Sequence, residues 1–124
     1  HFHHVDQFQV VVGGSGTIGK HPVGPISAHF AAAHTGYGPI TPGPQGLHYF
    51  SLRASADCTG AQYLPGARER MRTVPRRNVF APAIAPTPPA GHDRADPVRV
   101  ETLLEEADGL SFRYVRIAPD THGG

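Results

Sequence analysis

The stretch His1–Gly19, HFHHVDQFQVVVGGSGTIG, constrains the fold more than any other part of the chain. Phe8, Val10 and Val12 alternate with Gln7, Gln9 and Val11, which is the two-residue period of a β-strand. Successive side chains on a strand point to opposite faces. Gly13, Gly14 and Gly16 follow, and their tolerance of positive φ predicts a tight reversal, with Thr17–Lys20 starting the return strand. Ahead of the apolar run, His1 and His3 share one face, about 7 Å apart at roughly 3.3 Å per residue. Phe2 and His4 share the other. Two imidazoles on one face at this spacing suit a single ion.

Composition points the same way. The 124 residues include 15 Gly and 13 Pro, and segments with helical periodicity are scarce. An all-β chain with one small core is expected. The formal net charge of +1 excludes the strong basic or acidic imbalance of a nucleic-acid or anionic-membrane binder. Cys58 is the one cysteine, so no intrachain disulfide forms, and a reducing cytoplasm is the expected compartment. No apolar run reaches the ~20 residues of a membrane helix, and no signal peptide is visible. Nine histidines would charge in mild acid and weaken any metal binding there.

Along the chain, Ile26, Ala28 and Phe30 alternate with Ser27, His29 and Ala31, a second strand with His29 on its more polar face. Gly36, Gly38 and Pro39 break the chain after it, in a loop that presents His34 and Tyr37. Gln45–Ala54 is the next strand. Apolar residues on both of its faces predict burial on both sides, with His48 pointing into an enclosed space. Arg53 at its end is suited to pairing an acidic group or binding a substrate carboxylate. Ala67–Thr73 reads as one or two helical turns within a basic run of Arg68, Arg70, Arg72, Arg76 and Arg77, taken as solvated. The prolines of Val79–Pro97 predict an extended arm and exclude a central strand. Val98–Glu106 suits a strand or a short helix, Asp108–Gly109 a turn, and Leu110–Ile117 a strand. The expected divisions are 1–56 as a barrel core, 57–97 as a basic and Pro-rich loop or arm, and 98–124 as a completing strand or the start of a second unit.

The pattern His1-x-His3-x-x-x-Gln7, then strand, then Gly13, Gly14 and Gly16, resembles the first motif of the cupin superfamily. Thr41–Phe50, TPGPQGLHYF, is similar to the second, with a spacing different by about one residue. The resemblance implies a small jelly-roll barrel with sequence before His1, and a divalent metal (Fe, Mn, Ni, Cu or Zn) held by His1, His3, Gln7 and His48. Gln7 stands where the family has Glu. Two histidines and a carboxylate suit non-haem iron, whereas an amide oxygen is a weaker, neutral donor. Asp6 replaces it only if the chain turns at residues 3–6. Tyr37, His34 and Arg53 would act on the substrate.

Two functions follow. One is a metal-dependent oxygenase or isomerase of a small organic molecule. The other is a non-catalytic small-molecule-binding or structural domain with a lapsed metal site. Convergence of His3 and His48 on one point separates them. A small-molecule ligand and a homodimer, formed through free strand edges, are the expected partners.

Overall fold

The computed structural model describes residues 1–81 and 97–119, and it is all-β apart from a 3₁₀ turn at Arg68–Arg70. The chain divides into two units, His1–Ile84 and Ala85–Gly124. No helix among the described residues is long and apolar enough to cross a membrane.

The first unit is one antiparallel sheet built on β1 (Gln7–Ile18). One edge of β1 is covered along its length by β4 (Ile40–Leu52). The other edge pairs β3 (Ser27–Ala31) along Gln7–Val11 and the short β2 (His21–Val23) along Gly16–Ile18. Beyond β3 lies β5 (Asn78–Ala81). The sheet curls into half a barrel.

The glycines of β1 cause that curl rather than a reversal. β1 continues as one strand through Gly13, Gly14 and Gly16, and the chain reverses at Gly19–Lys20. Register shifts interrupt the β1–β4 ladder between Val11 and Gly13 and between Gly14 and Gly16, and such bulges bend a strand. A Cβ on Gly14, at φ +71°, would lie 2.1 Å from the Gly46 carbonyl oxygen; one on Gly16 would lie 2.4 Å from that of Thr41. Side chains are excluded here because two backbones touch. A sequence pattern alone does not distinguish this use of glycine from a turn.

One further expectation is corrected. β4 is not buried on both faces: none of its thirteen residues is buried, and Tyr49, Phe50 and Leu52 are exposed. Among the described residues it pairs only with β1, at the edge of the sheet. Of the expected loop or arm, residues 57–77 carry no named strand and only the 3₁₀ turn, and they are tied to the sheet unit. Phe2 and Gln62 exchange backbone hydrogen bonds of 2.9 Å in both directions, and residues 78–81 form β5 against β3. The Pro-rich part of the expected arm, 82–96, lies outside the described residues.

The apolar core of this unit is small: Val11, Ile18, Val23, Ala31 and Tyr37, with Ile40, Leu47 and Phe80 packed against it. Much of the remaining interior is polar. Gln7, Gln9, Ser27 and His29 are each at most 3% exposed.

In the second unit, β6 (Val98–Glu105) and β7 (Ser111–Ile117) form an antiparallel pair joined through the Asp108–Gly109 turn. Residues 98–105 are therefore strand, not helix. Leu110–Ile117 finds its partner within this hairpin instead of completing the first sheet.

Candidate functional site

The His1–His4 segment is clamped from both sides. His1 N donates to the Tyr37 carbonyl (3.2 Å), Tyr37 N–H to that of His1 (3.0 Å), and His34 N–H to that of His3 (2.8 Å). On the other side Phe2, fully buried, bridges to Gln62. Four successive residues thus present side chains alternately to two neighbourhoods, as the strand period requires.

On the first side, His1 and His3 meet edge to face, with ring centroids 5.3 Å apart, and the Tyr37 ring lies 4.4 Å from His1. His3 Nδ1 is 2.5 Å from Asp57 Oδ2, and this hydrogen bond holds the Asp57 carboxyl below its usual range against the opposing effect of burial. Gln7, 1% exposed, is committed at both ends of its amide. Its Nε2 donates to the Tyr37 hydroxyl, and its Oε1 accepts from Arg53 Nε (3.1 Å). Burial pushes the Tyr37 hydroxyl up to about 12, so it stays protonated at neutral pH.

Behind Tyr37 sits His29, 1% exposed. Its Nε2 faces Asn78 Oδ1 (2.9 Å), and its Nδ1 faces Gln9 Oε1 (2.8 Å). Asn78 Nδ2 donates to the Gly36 carbonyl (3.0 Å), which fixes that amide and makes His29 Nε2 the donor. Burial pushes the His29 pKa down, and the nearby His21 adds to this, against the Asn78 hydrogen bond. A neutral ring with its proton on Nε2 has a bare Nδ1, which is satisfied when the Gln9 amide turns its NH₂ toward it. Phe80 stacks between His29 (4.3 Å) and His21 (3.8 Å).

The open space lies along the Gly36–Tyr37–Gly38 ridge. A cleft of about 730 Å³ is lined by His1, Tyr37, Pro39, Ile40, Tyr63 and Leu64 together with the ridge glycines. Across Gly36 and Leu64 is a recess of about 400 Å³, with Pro65 and Met71 as apolar wall and Arg68 and Arg76 as cations. Both fall within the usual size range of small-molecule sites, roughly 300–1,000 Å³.

His1, His3, Gln7, Tyr37 and Arg53 are therefore brought together, as the strand alternation and the loop at residue 37 suggest. His48 is not with them. It is exposed on β4, opposite Gly13 with its ring against that backbone, and has no ring contact or hydrogen bond to the other three expected ligands. His34 faces the opposite side of the clamp, 4.8 Å from the His4 ring. Asp6 does not substitute for Gln7, because its carboxylate accepts from Ala33 N–H (2.7 Å).

The donor set does not fit a resident metal. Gln7 Oε1 already faces a guanidinium, and a second cation at the same oxygen would be repelled. Among the described residues, no group of three or more His, Cys, Asp or Glu side chains is placed to hold an ion. Asp57, Asn78 and Gln9 carry much of this geometry, yet nothing in their local sequence marks them. Their partners are 54, 49 and 20 residues away. No family model matches the chain, and no curated protein or solved structure is significantly similar to it.

Proposed function

We propose that this chain is a cupin-like, jelly-roll-derived binding domain without a metal. Its ligand would be a small organic molecule with a flat apolar body and an anionic group. The observation that supports this reading most is Gln7. At the position of the family's carboxylate ligand stands a buried amide whose oxygen is held by Arg53 and whose nitrogen is held by Tyr37. The histidine face is built as a wall for Tyr37, which in turn lines the cleft. The ligand body lies against Tyr37, Tyr63 and His1, and its anionic group reaches Arg68 or Arg76 past Gly36. Apolar walls with few directed polar groups are the common form of such sites.

The test is a screen of aromatic and short-chain carboxylates by saturation-transfer NMR, alongside elemental analysis of the untagged protein. Binding that weakens about tenfold in Tyr63→Ala supports the reading. About one metal per chain, lost in His3→Ala, overturns it in favour of the metal-dependent oxygenase or isomerase. One observation favours that second reading: Asp57 orients His3 through Nδ1, as carboxylates orient metal-bound histidines. The edge of β4 that no described strand pairs, with exposed Tyr49, Phe50 and Leu52, supports the homodimer, which sedimentation across a concentration series would detect.

A further inference from the structure

On the far side of the clamp is a recess of about 440 Å³ lined by His4, His34, Thr59, Arg70 and Arg72. It shares no lining residue with the cleft of His1, Tyr37 and Tyr63. We infer that it is an oxyanion site for a phosphate group, either inorganic phosphate or the phosphate of a monoester.

The donors are held in place by the fold. His34 is 6% exposed and holds φ 59°, the left-handed region, between its bond to His3 and the loop that follows. Its Nδ1 accepts from the Arg72 backbone N–H (3.1 Å), so the proton of the neutral ring is on Nε2. That Nε2–H has no partner among the described residues, and it belongs to a ring that lines the recess. Arg70 is anchored by Nη1, which donates to Gln62 Oε1 (2.5 Å). Gln62 is buried, and its own amide donates to the Thr59 carbonyl (3.0 Å) while its backbone pairs with Phe2. A guanidinium carries five N–H donors, so four remain on Arg70 after this anchor. Arg72 contributes its backbone to His34 and has no ion-pair partner among the described residues.

The charge balance favours an anion. Asp57 is the carboxylate tied to these residues through Thr59, and both of its oxygens accept hydrogen bonds. Oδ2 faces His3, and Oδ1 accepts from the Thr59 hydroxyl (3.0 Å). Thr59 oxygen in turn accepts from His4 Nδ1 (2.6 Å), which fixes the His4 ring as a wall of the recess. Glu69, between the arginines of the 3₁₀ turn, forms no ion pair with Arg68, Arg70 or Arg72. Two arginines and one imidazole N–H therefore line the recess without a counterion from the described residues. Forked guanidinium donors match phosphate oxygens in geometry as well as charge. Three tetrahedral oxygens use such a set better than a planar carboxylate does.

The experiment is a titration of the whole chain with inorganic phosphate at constant ionic strength, followed by amide and imidazole NMR shifts. A monoester, glycerol phosphate, is titrated in parallel. Saturable shifts at Thr59, Arg70, Arg72 and His34 are expected. Affinity should fall about tenfold in Arg72→Gln, as for loss of a charge-assisted pair. Arg70→Gln should lower it by a similar factor, while Arg68→Gln and Arg76→Gln, in the other recess, should leave it within twofold. All four changes are at exposed positions, and an unaltered spectrum around His29 reports that the fold is intact. Tighter binding of glycerol phosphate assigns the site to a monoester, and equal or weaker binding assigns it to the free ion. Shifts that do not saturate, or equal losses in all four arginine variants, would overturn the inference and leave only general charge attraction.

Discussion

β3 and β4 both pair with β1, yet the first buries polar side chains and the second exposes apolar ones. β3 is buried at all five positions and includes Ser27 and His29. β4 is buried at none of thirteen and exposes Tyr49, Phe50 and Leu52. The difference lies in the neighbours. β3 is flanked by β1 and β5, so its polar groups meet partners from both sides. Among the described residues, β4 has a neighbour on one side only. Burying a polar group costs little when its hydrogen bonds are complete, and several kcal/mol at most when they are not. In this sheet, partners decide what is inside.

The comparison can be broken most severely where β4 holds β1 without side chains. Gly14→Ala places a methyl group on the Gly46 carbonyl at a positive φ, and a loss of about 3 kcal/mol or more is expected in urea unfolding. On the β3 side, His29→Leu keeps the volume but leaves Asn78 and Gln9 without their ring partner. A cost of about 2–3 kcal/mol is expected, read from the urea midpoint. If His29→Leu is neutral, the buried hydrogen bonds do not explain why β3 is inside.

Acid should discriminate between the two strands as well. His29 and His34 titrate below the ordinary 6.5 in the folded chain, chiefly because burial penalises the charged ring. The unfolded chain therefore binds protons first as pH falls past about 6.5. Stability is then constant above that pH and declines below it, until the folded rings also protonate. Asp57, held low by His3, adds a second loss as pH falls below its usual 3.8. Melting temperature followed from pH 7.5 to 5 should fall, with a shallower slope in His29→Gln. A flat profile would show that the rings take up protons equally in the folded and the unfolded chain.

Smaller effects are expected on β4. Gly46→Ala meets nothing within 4 Å and bears only the cost of its φ of +79°, about 1 kcal/mol. Leu52→Ser, at a half-exposed position, should change stability by no more than about 0.5 kcal/mol. A larger, concentration-dependent loss in Leu52→Ser would mean that a second copy covers this edge.

These same residues show what could be read from the chain alone. The alternation of Gln7–Val12 identifies β1 and its two faces, because strand geometry is local. It does not reveal that the buried face is that of Gln7, Gln9 and Val11, since the partners are Tyr37, Arg53 and His29. The loop carrying His34 and Tyr37 is legible from its glycines and proline. That its two named side chains serve opposite sides of the clamp depends on backbone bonds to residues 1 and 3. His48 reads as enclosed because its neighbours are apolar. An edge position is a property of the whole sheet, and no window of sequence contains it.

β5 has a consequence for the order in which the chain can assemble. It is the last strand of its sheet to be synthesised, and it does two jobs on arrival: it closes the open edge of β3 and brings Asn78 to His29. Until residue 78 is available, the ring nitrogen that Asn78 satisfies and a row of β3 backbone groups have no partner within the sheet. The loop that must close spans about fifty residues, and pairings so distant in sequence form slowly. A chain stopped short of Asn78 would therefore hold most of the sheet's sequence and lack the strand that makes its interior consistent.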